Sequence, residues 1–411
     1  MAKSALNVRS ETGHLKEVIV HTPAAEMELV APDRLDELLF EDILFVGHAR
    51  EEHLVMRAVF EKVIGSAHGV IEIVDLLRQV FESEDARRGF VEQLCSVMPE
   101  RNLQAFSQEL ADLPAEELTN FALTGVSPLP VYAQPLPNLL FTRDLAAVVG
   151  KHMVLSHPAT AARARESVIM NAVVSHHPRF EAHRDHVIRL PRGVTFEGGD
   201  LLVASEKCVI VGVSERTSFG GAMSLARSLF EETAIEDVIV VTLPHQRSCM
   251  HLDTVFTFAE PDLCVVYPPI IEARGLNNVA QFRAGKKDGR LECRLHEDLK
   301  AALEQVLDRS MRFVSCGGGD PLNQQREQWT DGANFFSLAP GVVIGYERNH
   351  RTFEAMARNG YRVVSAESFL TYHEESDFDP AQRLAIKLEG NELSRGRGGP
   401  RCMTMPLARS N

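Results

Sequence analysis

Four short segments of this 411-residue chain carry side chains whose types and spacing could do chemistry. FTRD ends in Asp144, FEGGD sets Glu197 and Asp200 around a glycine pair, and MHLD places His251 two residues before Asp253. The fourth, SRGRGGPRCMTMP, puts Cys402 after Arg395, Arg397 and Arg401 in a stretch too glycine-rich for a regular element. A thiol among guanidiniums is expected to ionise easily, because nearby positive charge stabilises the thiolate. A histidine beside a carboxylate supplies proton transfer and a fixed tautomer. Further carboxylates would oppose a developing oxyanion, so their use would be to hold a cation. A nucleophilic cysteine, a histidine and several carboxylates therefore point to a cationic, planar electrophile. A guanidinium is one, and carboxylates grip it with paired hydrogen bonds.

Each residue also has a purely structural reading. Asp200 at a hairpin start is expected to accept backbone N–H groups in a turn. Asp253 could form an ion pair with His251 and do no more. On a strand, residues two apart share a face, which would let the two reach one ligand together. The string CGGGD at Cys316–Asp320 reads as a tight turn, and it offers Cys316 no positive field. The histidine-rich HHPRFEAHRDH (His176, His177, His183, His186) lacks a cysteine or carboxylate at ligand spacing. It is read as a solvated segment, with no metal site expected.

The elements that must position these residues show in the apolar pattern. LKEVIVHTP reads as a strand stopped by Pro23, and Leu54, Val55, Ala58, Val59, Phe60 and Val63 mark a helix over 48–64. GVIEIVDLL reads as a second strand. From 78 to 131 the texture is helical: Leu103, Phe106, Leu110 and Leu113 step along one face, and Pro114 with Glu116 and Glu117 opens the next helix. Beyond Asn138 a layout repeats four times, namely a polar cluster, an apolar strand, a turn (GK, SEK, EPD, APG) and a second apolar strand. Helices are expected between the copies, for example over 220–233 and 295–307. Such a repeat suggests a closed, propeller-like array whose polar clusters converge on one axis.

Composition narrows the function. Fifty-seven acidic against 43 basic residues leave a formal charge of −14, which argues against nucleic acid or an anionic membrane as partner. RGRGGPR is one short copy on an acidic chain, so an RNA-binding tail is not the favoured reading. The opening MAKSALNVRSETG has no apolar signal core, and seven scattered cysteines without a C-x-x-C pair suit a reducing cytoplasm.

Taken in order, SETGHLKEVIVHTP, DELLFEDILFV, NLLFTRD, FEGGD, SERT, MHLDTVFT, REQWTDGANFFSLAPGVVIGYERN and RGRGGPRCMTMP resemble the arginine deiminases of the guanidine-modifying superfamily. The resemblance implies an α/β fold, a five-bladed pseudo-symmetric β/α propeller (pentein) with an inserted helical module. It would comprise 1–77 and 132–411 as the catalytic propeller and 78–131 as the insert. It implies Cys402 as nucleophile, Asp144 and Asp253 as the guanidinium clamp, and His251 as proton shuttle oriented by Glu197. Asn138, Arg163 and Arg216 would bind the substrate, and Arg397 would gate the site. ARARES offers Arg165 as well as Arg163, and spacing favours Arg163. The implied reaction turns L-arginine into L-citrulline and ammonia, with no cofactor or metal, in a homo-oligomer. Motifs alone leave open an amidinotransferase, another guanidino substrate, or an arginine-binding protein without turnover.

Overall fold

The computed structural model describes residues 6–98, 101–273, 278–285, 290–373 and 382–410. The first strand, His14–Val20, pairs antiparallel with the last, Met405–Ser410, and parallel with Val70–Glu72. One sheet therefore holds both ends of the chain, and Cys402 sits just ahead of its last strand.

All four hairpins expected from the repeating layout are present: Ala146–Val149 with His152–Leu155, Leu201–Ser205 with Cys208–Val213, Phe256–Glu260 with Leu263–Val266, and Phe336–Ala339 with Val342–Tyr346. Each gains a parallel strand, in turn Val187–Ile188, Asp237–Thr242, Arg312–Ser315 and Leu384–Leu388. A parallel partner needs a crossover connection. Helices Ala164–His176, Phe219–Glu232, Leu299–Leu307 and His350–Arg358 lie on those crossovers. Among the described residues the result is five open sheets of three, three, five, three and four strands.

Several expectations need correction. The helix at the N-terminal side runs Val46–Ile64, but Leu54 and Val55 lie on its exposed side, and the buried stripe is Ala49, His53, Met56, Val59, Phe60 and Val63. In GVIEIVDLL only Val70–Glu72 is strand; Ile73–Val80 is helix, because Ile73, Leu76, Leu77 and Val80 fall on one helical face. The face from Leu103 to Leu113 is split into two short helices, Arg101–Ala105 and Ser107–Ala111, that meet at Phe106. Leu295 belongs to a strand, Leu291–His296, and the helix starts only at Leu299, where the Asp298 carboxylate accepts the Ala301 N–H.

The helices Glu84–Val97 and Ala115–Thr124 do not hold a core of their own. Phe90, Leu118 and Phe121 belong to one apolar cluster with Leu139, Val148 and Ile169 of the first hairpin unit. The HHPRFEAHRDH segment forms a 3-10 helix, Pro178–His186, in which His177 caps the start and hydrogen-bonds Gln79.

Candidate active site

Three single 3-10 turns, Thr142–Asp144, Gly198–Asp200 and Leu252–Thr254, carry Asp144, Asp200 and Asp253, and Glu197 and His251 cap the second and third. Each lies within two residues of the first strand of a hairpin, so the strand's place in its sheet fixes the turn. The turns brace one another. Asp144 Oδ1 accepts the Gly199 N–H at 3.0 Å, and Asp200 accepts the Leu252 N–H at 2.9 Å and the Ser214 hydroxyl at 2.7 Å. Asp200 is thus structural, but it braces a neighbouring turn and a serine hydroxyl rather than closing the turn it sits in. A Cβ at Gly199 would lie 2.8 Å from both Asp144 and the His251 ring, so glycine is what lets these two groups approach across the turn.

His251 does not pair with Asp253. Its Nε2 lies 2.9 Å from Glu197 and its Nδ1 3.8 Å from Asp144 Oδ1. His251 caps a 3-10 turn, and no strand alternation relates it to Asp253. Burial would push the imidazole down, but the Asp144 charge and the Glu197 hydrogen bond outweigh it and hold the pKa at about 9. Burial would likewise raise Glu197, yet the bond from His251 and the Arg163 charge keep it well below the usual carboxylate range.

Cys402 is buried with its Sγ 3.7 Å from Asp253 Oδ2, and its N–H donates to the Asn334 side chain at 3.2 Å. The expectation that Arg395, Arg397 and Arg401 lower its pKa is not met. Arg395 is tied to Asp42 and Glu392, Arg397 stacks on Trp329 at 3.6 Å, and Arg401 is spent on Glu11 and Asp253. Burial, followed by Asp253, Asp331 and Asp144, pushes the thiol well above its ordinary value. Cys316 is buried against Thr352 and Glu327, and burial pushes it up too.

The remaining site arginines behave differently from one another. Arg163 is saturated: it lies 2.5 Å from Asp144, 2.7 Å from Glu166 and 3.5 Å from Glu197. Asp144, Glu197 and His251 present ligand atoms within 4.8 Å of one another, a cluster able to hold a cation, and the Arg163 guanidinium already serves it. Arg165 instead donates to the Gln134 carbonyl and lines a separate groove. Arg216 and Arg397 line the same small cavity as Cys402, and among the described residues Arg216 Nη1 and Arg397 Nε have no hydrogen-bond partner. Asn138 lines it as well, its amide donating to the Leu38 carbonyl at 2.7 Å. The cavity measures about 20 Å³, room for one water.

A family model described as arginine deiminase matches residues 103–409. The arginine deiminase of Lactococcus lactis subsp. cremoris is 34% identical, with 99% of each chain covered. That of Listeria monocytogenes is also 34% identical, over 100% of this chain and 99% of its own. The chain belongs to the arginine deiminase family. In solved structures the fold resembles a dimethylarginine dimethylaminohydrolase adduct (TM-score 0.51, 16% identity, 95% of this chain and 99% of that one). It also resembles the N-terminal domain of ArgZ, an arginine dihydrolase from cyanobacteria (TM-score 0.53, 14% identity, 96% and 98%). These likenesses show a mixed α/β fold of the pentein kind.

This arginine deiminase family member also uses residues that sequence reading missed. Asn334 ties Cys402 to Asp253 by accepting the Cys402 N–H and donating to the Asp253 carbonyl at 2.9 Å. The DGAN string, a polar cluster ahead of a hairpin like the other three, was the available signal. Glu11 accepts two hydrogen bonds from Arg401 at 3.1 Å, and nothing in the sequence links positions 390 apart. Arg247 reaches Glu41 and the Leu39 carbonyl, both at 2.6 Å, and so joins two loops at the cavity rim. Arg397 holds a left-handed backbone, φ 64°, which is uncommon for a residue with a side chain.

Proposed function

We propose that this chain hydrolyses L-arginine to L-citrulline and ammonia through a covalent intermediate on Cys402. The observation that supports it most is that Cys402, Asp144 and the Glu197-paired His251 border one cavity, with Asp253 beneath the thiol. Asp144 and Asp253 grip the guanidinium nitrogens. The incoming cation stabilises the thiolate that the empty site disfavours. His251 is already charged, so it cannot take the thiol proton, which leaves to water. The thiolate attacks the guanidinium carbon, and His251 gives its proton to the departing ammonia, leaving an amidino-thioether. Neutral His251 then takes a proton from water as the water adds to the same carbon. Collapse breaks the C–S bond, the hydroxyl proton of the adduct passes to the departing sulfur and restores the thiol, and neutral citrulline is released. Glu197 keeps the imidazole oriented throughout. Arg216, with Arg163 once it is released from Asp144, receives the substrate carboxylate; Asn138 completes that pocket and Arg397 closes it.

In the same reading the five sheets stand as blades about one axis, residues 78–131 form an inserted helical module, and the protein works as a cytoplasmic homo-oligomer. The experiment is an assay of citrulline and ammonia from L-arginine with wild type and Cys402→Ala. Equal yields of both products from wild type are expected, with a rate loss of at least about 10³-fold in the variant. Ammonia without citrulline, or product formed only when an amine acceptor is added, would overturn the reading.

A further inference from the structure

We propose that the strand Leu291–His296 is where a second copy of this chain docks, continuing the five-stranded sheet antiparallel across a two-fold axis at Cys293. The strand pairs on one side with Val279–Ala284, and among the described residues no strand lies along its other side. Such an edge presents unpaired N–H and C=O groups that can template another strand. Glu292, Cys293 and Arg294 are exposed, and Leu295 is 60% exposed. Alternation puts Leu291, Cys293 and Leu295 on one face and Glu292 with Arg294 on the other.

Charges on an edge strand commonly keep other strands away. Among the registers centred on residues 292–294, which pair the middle of the strand, their order makes them complementary in one. With the axis through Cys293, Glu292 stands opposite Arg294 of the second copy, and Leu291 opposite Leu295 of the second copy, each pair occurring twice by symmetry. An axis at Glu292 or at Arg294 would set like charges face to face. An axis between Cys293 and Arg294 would set Glu292 against leucine, and one between Glu292 and Cys293 would set Arg294 against leucine. Opposite charges across strands stabilise and like charges destabilise, so the chemistry selects the Cys293 axis. The contact is the same patch on both copies, as a closed two-fold dimer requires.

This inference rests on the homo-oligomer proposed above and names its contact. Sedimentation velocity on the full chain tests it. Glu292→Arg and Arg294→Glu should each weaken the dimer about tenfold or more, and the double swap should restore it to within about threefold of wild type. Unchanged thermal melts serve as the folding control. Facing Cα atoms in an antiparallel pair lie about 4.5–5.5 Å apart, within disulfide reach. Diamide, which is reduced to the hydrazine as it oxidises two thiols, should therefore link wild type into a covalent dimer and leave Cys293→Ser unlinked. A dimer that ignores the single substitutions, or a double swap as weak as either single, overturns the contact and leaves the oligomer standing. A wild type that stays monomeric overturns both.

Discussion

Cys402 and His251 wait in opposite states. Burial and three aspartates keep the thiol protonated, while Asp144 and Glu197 overcome burial and keep His251 charged to about pH 9. A folded-state pKa raised above the ordinary histidine value of 6.5 contributes stability that is complete below about pH 6.5 and lost as pH rises through about 9. In the mechanism proposed above the same titration removes the proton given to the departing ammonia, so kcat/KM is expected to fall on the alkaline side near that pH. Glu197→Gln takes away the carboxylate bonded to His251 Nε2, and the alkaline limb should move to lower pH. A pH–rate profile of the variant checks this, and an unmoved limb would remove Glu197 as the partner that sets His251. The positions of Asp144, Glu197, His251, Asp253 and Cys402 were readable because each precedes an apolar strand at a matching place. The environment of Cys402 was not. Arg395, Arg397 and Arg401 neighbour it in sequence, yet their guanidiniums turn to Asp42, Trp329 and Glu11, and no linear pattern encodes that choice.

At the scale of elements, precision comes from short turns anchored by sheet strands. Gly199 is the point where Asp144 and His251 crowd one backbone, and Gly199→Ala should push the two apart. The expected result is a drop in kcat/KM of about 10²-fold, since misplacements near 1 Å carry that cost, with little change in the melting temperature. Kinetics and a thermal melt on one preparation check both parts. The hairpins were legible because β-branched runs alternate with GK, SEK, EPD and APG turns. The strand Leu291–His296 was not, because LECRLHEDLKAALEQVL continues without a break into a true helix, and its pairing partner, Val279–Ala284, lies upstream. In GVIEIVDLL, β-branched residues suggested a strand, but the burial of Leu76, Leu77 and Val80 on one face made a helix.

Across the whole molecule, the apolar cluster that joins Phe121 to Leu139 and Val148 makes the helical segment and the first hairpin unit depend on each other. Phe121→Ala should destabilise the protein by about 3–5 kcal/mol. Denaturation followed both by helical signal and by activity should lose the two together. An early loss of helix with activity kept would mean that the segment folds independently. The repeat and the texture shift after position 78 were visible in the sequence; this shared core was not, since it depends on which helix faces meet the sheets.

The sheet that closes on both ends of the chain has a consequence for biosynthesis. Glu11 is made well before Arg401 and Cys402, the thiol lying 391 positions further along the chain. At about 5–20 residues per second, roughly 20–80 s of translation pass between them. Until then His14–Val20 lacks its antiparallel partner and the turns carrying Asp144, Glu197 and His251 face no nucleophile. In a nascent chain of this design the Cys402 thiol joins the site only as Met405–Ser410 seats against His14–Val20.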